Sequence, residues 1–582
     1  MVTTLQRRPS PPSEPSQHPA LDQPVVEAAA RPGGLDRIVF GVTAAIAIAF
    51  LVWGFVSTSS LASASDSALT WVMEDTGWLF VLTASAIVVF VIWLAASRYG
   101  DIPLGRDDEE PEFRTVSWVA MMFSAGMGIG LMFYGVGEPI SHFTTAPPGT
   151  GEAGSVQTAM ATTLFHWTLH PWAIYAVVGL AIAYGTYRKG RVQLISAAFE
   201  PLLGKRANGG WGRVIDMLAI FATLFGSAAS LGLGALQIGT GLTIVTSIGT
   251  VGNAVLIAII AVLTVAFILS AVSGVARGIQ WLSNINMVLA LALALFIFIG
   301  GPTVFMLNLV PTSLGSYFAD LPMMSARTAA EGDDVNAWLE SWTIFYWAWW
   351  VSWTPFVGMF IARISRGRTI RQFVTGVLLV PSVVSLVWFC IFGGAAIKLQ
   401  QTGTDIAGAG GGKIESQLFN TLDAYPLATV TTIIVMVLVA IFFVSGADAA
   451  SIVMGTLSER GSQEPRRRTV VFWGVATGSV AAVMLLVGGS NALNGLQSIT
   501  IVAALPFVVV MLALCVSLMK DLRSDPLMVR RKYAAEAVEQ AVVTGVTAHG
   551  DDFVIAVEND PENSADWSTA AVTSLSTADD PR

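Results

Sequence analysis

Residues 342–358 read WTIFYWAWWVSWTPFVG, with five tryptophans in the first twelve positions. On a helix, Trp342, Phe345, Trp349, Trp353, Phe356 and Phe360 stay within about 40° of one line, and Trp350 lies at the edge of that stripe. The stripe then runs into Pro355 and Gly358. Pro355 removes a backbone donor and disturbs the turn before it, so a break is expected near Trp353–Gly358. Tryptophans often sit in belts at a membrane–water interface. That reading covers Trp342 and Trp347. The others continue toward the break, where lining a cavity and packing a core are the two alternatives.

A second interruption lies upstream in the run SAGMGIG at 124–130, which places Gly126, Gly128 and Gly130 at alternate positions. Each glycine costs a helix about 1 kcal/mol relative to alanine. Irregular backbone at membrane depth is tolerated only where it is buried in protein or lines a cavity. The run therefore reads as an unwound stretch that exposes carbonyls. Close packing of small residues is the other reading, although it favours a spacing of four.

Working outward, the stretch FHWTLHPWAIY at 165–175 adds Trp167, Trp172 and Tyr175. An aromatic cage without Lys or Arg suits a quaternary ammonium, which donates no hydrogen bonds. Cation–π attraction then contributes about 2 kcal/mol or more once water is excluded.

The whole chain supports a bilayer setting. Of 582 residues, 54% are hydrophobic and 12% charged, about half the charge of a typical soluble domain. A span needs about 20 apolar residues. Twelve windows qualify: 38–57, 78–97, 115–136, 160–186, 214–240, 253–272, 281–301, 338–362, 374–396, 426–446, 469–488 and 497–518. With the N-terminus inside, 28 of the 31 Lys and Arg fall in cytoplasmic segments, and only Arg327, Lys398 and Lys413 do not. That bias predicts an all-α polytopic protein of the cytoplasmic membrane with both termini inside.

The expected organisation is a disordered N-tail at 1–36 and two peripheral helices with their loop at 37–114. Two five-helix blocks follow at 115–312 and 338–519, separated by an outer amphipathic helix or loop at 313–337. A cytoplasmic tail occupies 520–582. Its basic cluster Arg530-Arg531-Lys532 leads into an amphipathic helix able to approach anionic lipid, and its end is acidic. Cys390 and Cys515 lie in apolar runs, so no disulfide framework is expected. No basic face suggests nucleic acid.

The breaks open the first helices of the two five-helix blocks, and such pairing points to a transporter's midplane site. SAGMGIGLMFYGVGEP (124–139), FHWTLHPWAIY (165–175), QWLSNINM (280–287) and YWAWWVSWTPFVGMFIARISRGR (346–368) closely resemble the betaine–choline–carnitine transporter family. The match runs from about 115 to 520. The resemblance implies a leucine-transporter-type inverted repeat (5+5) preceded by two helices, alternating access and a homotrimer. It places an aromatic box on Trp167, Trp172, Tyr175 and Trp350, with Trp353 on the inward path. Trp349, Gly128 and Gly130 complete the expected substrate contacts.

The resemblance also implies two sodium ions, bound by oxygen ligands that suit a hard cation. One site falls on backbone at Ala125 and Met127 with Ser445 and Gly446; the other falls on Thr223 and Ser227, with Phe356 nearby. Gly446 departs from the family pattern, which has a hydroxyl there, and makes that ion doubtful. Gly130 stands where choline carriers tend to have Asp, which favours a zwitterion such as glycine betaine, ectoine or proline betaine. No Lys or Arg lies between Arg213 and Arg277 to act as a fixed charge in place of sodium.

His166 and His170 lie four apart, yet no third ligand is evident in sequence. Sodium alone is expected, with no transition metal and no organic cofactor. Glu138 and Asp448 end their helices, where pairing or capping comes before proton relay. No nucleophile–base pair suggests an enzyme. The rival functions are a proton-coupled choline or carnitine carrier and a non-transporting sensor or receptor using the same cage.

Overall fold

The computed structural model describes residues 34–555, apart from 108, 127, 247, 248, 250, 274, 275 and 490. The expected N-tail and the acidic end of the C-tail therefore lie almost wholly outside the described residues. The chain divides into two units, one of residues 24–523 and one joining 1–23 to 524–582.

The described part of the smaller unit is mainly a helix, Pro526–His549, capped by the Asp525 side chain on the N–H of Leu527. Gly550, with φ +63°, turns the chain so that Phe553 packs over Gly545.

The larger unit is helical. α1 (Arg37–Val56) is followed by α2 (Thr58–Trp71) and α3 (Gly77–Ala96), then α4 (Thr115–Gly126) and α5 (Ile129–Thr144). α6 (Val156–Trp167) and α7 (Leu169–Ala183) lead through a short α8 (Glu200–Leu203) to the 36-residue α9 (Gly210–Val245). α10 (Asn253–Ser273) and α11 (Ala276–Gly300) precede α12 (Thr303–Ala326). The second half holds α13 (Asp333–Ser341), α14 (Thr343–Ile364), α15 (Ile370–Gln401), α16 (Ile414–Asp423), α17 (Ala428–Ser458), α18 (Arg467–Val487) and α19 (Ala492–Arg523).

Among the described residues, nine helices are long and apolar enough to cross a membrane, or ten if α11 and α12, bent by 108° at their junction, count as one broken span. The other expected windows also fall on helical segments, but the third, fourth and eighth are interrupted. The third window falls short because it is split into helices of 12 and 16 residues, and the eighth because its apolar surface is largely indole. The windows of α1 and α10 are 28% and 17% buried, whereas that of α6–α7 is 94% buried. The former are peripheral and the latter central.

Three expectations are corrected here. The helix expected to break at Pro355 runs unbroken as α14. The carbonyl of Val351, which a residue other than proline would engage, accepts the Thr354 hydroxyl at 2.6 Å instead, so the proline leaves no orphan. Conversely, the fourth window is not continuous. Thr168 adopts φ −117° and ψ −108° between α6 and α7, because Pro171 has no N–H for the Trp167 carbonyl and its ring crowds it. Trp347 is no interfacial residue: it is 1% exposed and stacks on His170 at 4.8 Å.

The segment between the halves is helical from Thr303 to Ala326, beginning ten residues before the sequence suggests. α14 lies at the centre. Where it crosses α9, a Cβ on Gly226 would stand 2.5 Å from that of Ser352, so only glycine permits this approach. The crossing brings the Trp353 indole N–H to the Gly226 carbonyl at 3.0 Å.

Candidate substrate and ion site

The interruptions at Gly128 and Thr168 and the stripe on α14 meet in one place. The Trp350 indole N–H donates to the His166 carbonyl at 3.0 Å, just before the Thr168 break. The Trp349 indole N–H donates to Ser230 Oγ on α9 at 3.0 Å. With their polar edges engaged, these indoles turn ring surface toward a small cavity. Trp167 meets Trp350 edge-on at 5.0 Å, Tyr175 meets it at 6.3 Å, and Trp172 packs on Tyr175 at 5.3 Å.

The cavity is lined by Gly128, Gly130, Trp167, Trp172, Tyr175, Trp349, Trp350 and Trp353, the eight substrate positions read from sequence, with Leu131, Pro171 and Ser385. Among the described residues, no acidic or basic side chain lines it.

Its volume is about 40 Å³, enough for two or three waters. The rings must part to admit a methylated ammonium group. Gly130 shows how tight the packing is: a Cβ there would lie 2.8 Å from Cη2 of both Trp167 and Trp349. Gly128, in extended conformation at φ −169°, starts α5 and faces Trp353.

Gly128 and Trp353 also border a second, larger cavity of about 420 Å³. This vestibule runs past Ser227, Phe356, Ser445, Gly446 and Asp448 to Gln193, Arg363 and Gln463, at the arginine-rich ends of the helices. Four expected ion-site residues thus share one space. Ser227 Oγ is buried without a hydrogen-bond partner among the described residues, whereas Ser445 Oγ donates to the Phe442 carbonyl at 3.3 Å. Thr223 does not line the vestibule; it is fully buried and donates to the Ala219 carbonyl. Ala125 lies in the last turn of α4, and Met127 lies outside the described residues. At Gly446 α17 continues unbroken, and a Cβ would meet nothing within 4 Å.

The model of the betaine/carnitine/choline family of transporters matches residues 38–527. The chain belongs to that family. It is therefore a multi-span membrane transporter and not an enzyme. The family match takes in the first two helices, which the sequence motifs alone do not reach. Betaine/ectoine transporter LcoP of Corynebacterium glutamicum is 46% identical over 545 residues, 93% of this chain and 86% of that protein. Glycine betaine transporter OpuD of Bacillus subtilis is 46% identical over 84% of this chain and 94% of its own length. Glycine betaine transporter 1 of Vibrio parahaemolyticus is 41% identical over 84% of this chain and 94% of its own length. A solved Na⁺-coupled sialic acid symporter covers 75% of this chain and 85% of its own, at 14% identity and TM-score 0.41; so loose a likeness says nothing of substrate or ion.

In this betaine/carnitine/choline family transporter, Glu138 does more than end a helix. It sits fully buried within α5. Its Oε2 accepts the Trp167 indole N–H at 2.6 Å and the Tyr346 hydroxyl at 2.5 Å. Its Oε1 lies 2.6 Å from His166 Nδ1. One carboxylate thus joins α5, α6 and α14 directly behind the cage. Sequence reading missed this role, since the partners stand 28, 29 and 208 residues away. The one local signal is a carboxylate placed mid-way along an apolar helix.

His170 takes no part in the network. Neither of its ring nitrogens has a hydrogen-bond partner among the described residues.

Proposed function

We propose that this transporter is a secondary symporter that imports a betaine-type zwitterion, such as glycine betaine, ectoine or proline betaine, and couples it to sodium. The observation that carries the reading is the cavity of six aromatic side chains, Trp167, Trp172, Tyr175, Trp349, Trp350 and Trp353, with no charged side chain in its lining. A quaternary nitrogen gains cation–π attraction there and needs no hydrogen bond. The substrate's carboxylate is received by backbone N–H groups at the start of α5, near Gly128 and Gly130, where no side-chain charge lines the cavity among the described residues. The relatives named for betaine and ectoine support the same class.

The sodium ions bind beside the cage, one at Ser227 and Phe356, which line the vestibule, with Thr223, and one at Ser445 and Gly446, which also line it, with the backbone of Ala125 and Met127. Twelve spans place both termini in the cytoplasm, as the distribution of Lys and Arg requires. The two five-helix blocks form an inverted repeat. Three copies assemble, an arrangement that rests on the family resemblance alone.

Uptake of labelled glycine betaine, ectoine, choline and carnitine into proteoliposomes, with and without sodium at fixed membrane potential, tests the proposal. Sodium-dependent accumulation of a betaine against its gradient is expected. Sodium-independent accumulation driven by a pH gradient contradicts the coupling, and binding without accumulation indicates a receptor.

Asp448 favours a second reading. Its side chain lines the vestibule beside Ser445 and Gly446, so a proton could take the place of the ion whose hydroxyl ligand is missing. Choline or carnitine uptake driven by a proton gradient alone would select that reading.

A further inference from the structure

Behind the cage, Glu138 faces two histidines rather than one. Glu138 and His142 lie one turn apart on α5, and His166 projects from α6. One donor atom from each lies within 4.8 Å of the other two. Glu138 Oε1 is 2.6 Å from His166 Nδ1 and 3.4 Å from His142 Nε2. All three residues are buried, at 2% exposure or less. His142 Nε2 has no hydrogen-bond partner among the described residues and points at the carboxylate.

From this geometry we infer a transition-metal site on Glu138, His142 and His166, of the class that takes Zn²⁺. Two imidazoles and one carboxylate suit zinc, whereas Na⁺, Mg²⁺ and Ca²⁺ prefer all-oxygen shells. Zinc bonds of about 2.0–2.1 Å at tetrahedral angles put donor atoms roughly 3.3 Å apart, so the observed spacing needs shifts of an ångström or so. Water completes the tetrahedron.

The surrounding groups are placed as an outer shell requires. His166 Nε2 lies 2.9 Å from Thr343 Oγ1; donation to that oxygen frees Nδ1 for a metal. The second carboxylate oxygen of Glu138 stays held by Trp167 and Tyr346. Trp338 and Trp342 cover the site, at 5.6 Å and 4.5 Å from the His142 ring. Arg327, 4.7 Å over Trp338, is a cation that weakens binding of a second one. The metal enters only when that cover opens, and once bound it fixes α5 to α6 at the residue that holds the cage.

The test uses purified full-length protein carrying His18→Ala and His549→Ala, stripped with chelator, and titrated with ZnCl₂ against a chromogenic chelator. One zinc per chain is expected, with affinity falling tenfold or more in His142→Ala and no comparable binding of Mg²⁺. His142→Ala without zinc should keep wild-type solute uptake, since Trp167, Tyr346 and His166 still hold Glu138 at 2.6 Å or less. Zinc added to proteoliposomes should slow uptake by the parent protein and leave the variant unaffected. Absence of stoichiometric binding, or binding undiminished in His142→Ala, overturns the site. Because metal binding is measured on the purified chain, its failure is distinct from failure of the proposed solute or ion.

Discussion

Trp167 donates its indole N–H to Oε2 of Glu138 at 2.6 Å, and both groups are buried. The bond links a cage ring on α6 to a charge on α5. Tyr346 donates to the same oxygen, so the carboxylate sets how α14 meets the other two helices. A hydrogen bond to a buried charge contributes about 1.5–3 kcal/mol net.

Glu138→Gln should therefore disturb the cage. The amide turns an N–H₂ group toward either His166 or the Trp167 and Tyr346 donors, leaving a buried donor unmatched at a cost of about 1–3 kcal/mol. Apparent substrate affinity is expected to fall about tenfold. Uptake kinetics at matched protein levels check this. Unchanged KM with less folded protein would make Glu138 merely structural.

Trp350→Leu removes a ring that faces both Trp167 and Tyr175. Loss of about 2 kcal/mol of cation–π attraction corresponds to roughly thirtyfold weaker binding of a quaternary ammonium. Trp350→Phe should retain part of it. Equilibrium binding of glycine betaine to the three proteins separates these outcomes, and equal affinities would exclude the cage.

Gly130→Ala places a methyl group 2.8 Å from two indoles. Overpacking of this kind costs about 1–3 kcal/mol. The variant should reach the membrane in normal amounts yet lose most uptake, as membrane quantification beside transport assays will reveal.

Gly446→Ser is the opposite case, because its Cβ meets nothing within 4 Å. The added hydroxyl faces the vestibule beside Ser445 and restores the oxygen that the family pattern has there. One further oxygen contact, about 1 kcal/mol, should lower the sodium concentration for half-maximal uptake about fivefold. A sodium dependence identical to wild type would remove that position from the ion site.

The features legible in the sequence share a common cause. Helix windows, the Gly128 interruption and the tryptophan stripe follow from spacing within one segment, and periodicity reports such spacing directly. The eight positions expected to contact substrate, most of them named through the family resemblance rather than by periodicity, line one cavity. The Glu138 network was illegible because it joins three helices across long sequence separations. Two errors arose from proline. Pro355 reads as a break, but the Thr354 hydroxyl satisfies the freed carbonyl; Pro171, which does end a helix at Thr168, stands in a run whose apolar length conceals it. Composition likewise cannot indicate whether a cavity is closed, and the 40 Å³ between the rings is a property of packing.

An experimental structure with glycine betaine bound is the most direct test. The trimethylammonium group is predicted to lie among Trp167, Trp172, Tyr175 and Trp350, with its nitrogen within about 6 Å of their ring centroids and the rings parted from their present contacts. A ligand bound elsewhere, with these four side chains still closed on each other, would contradict the account.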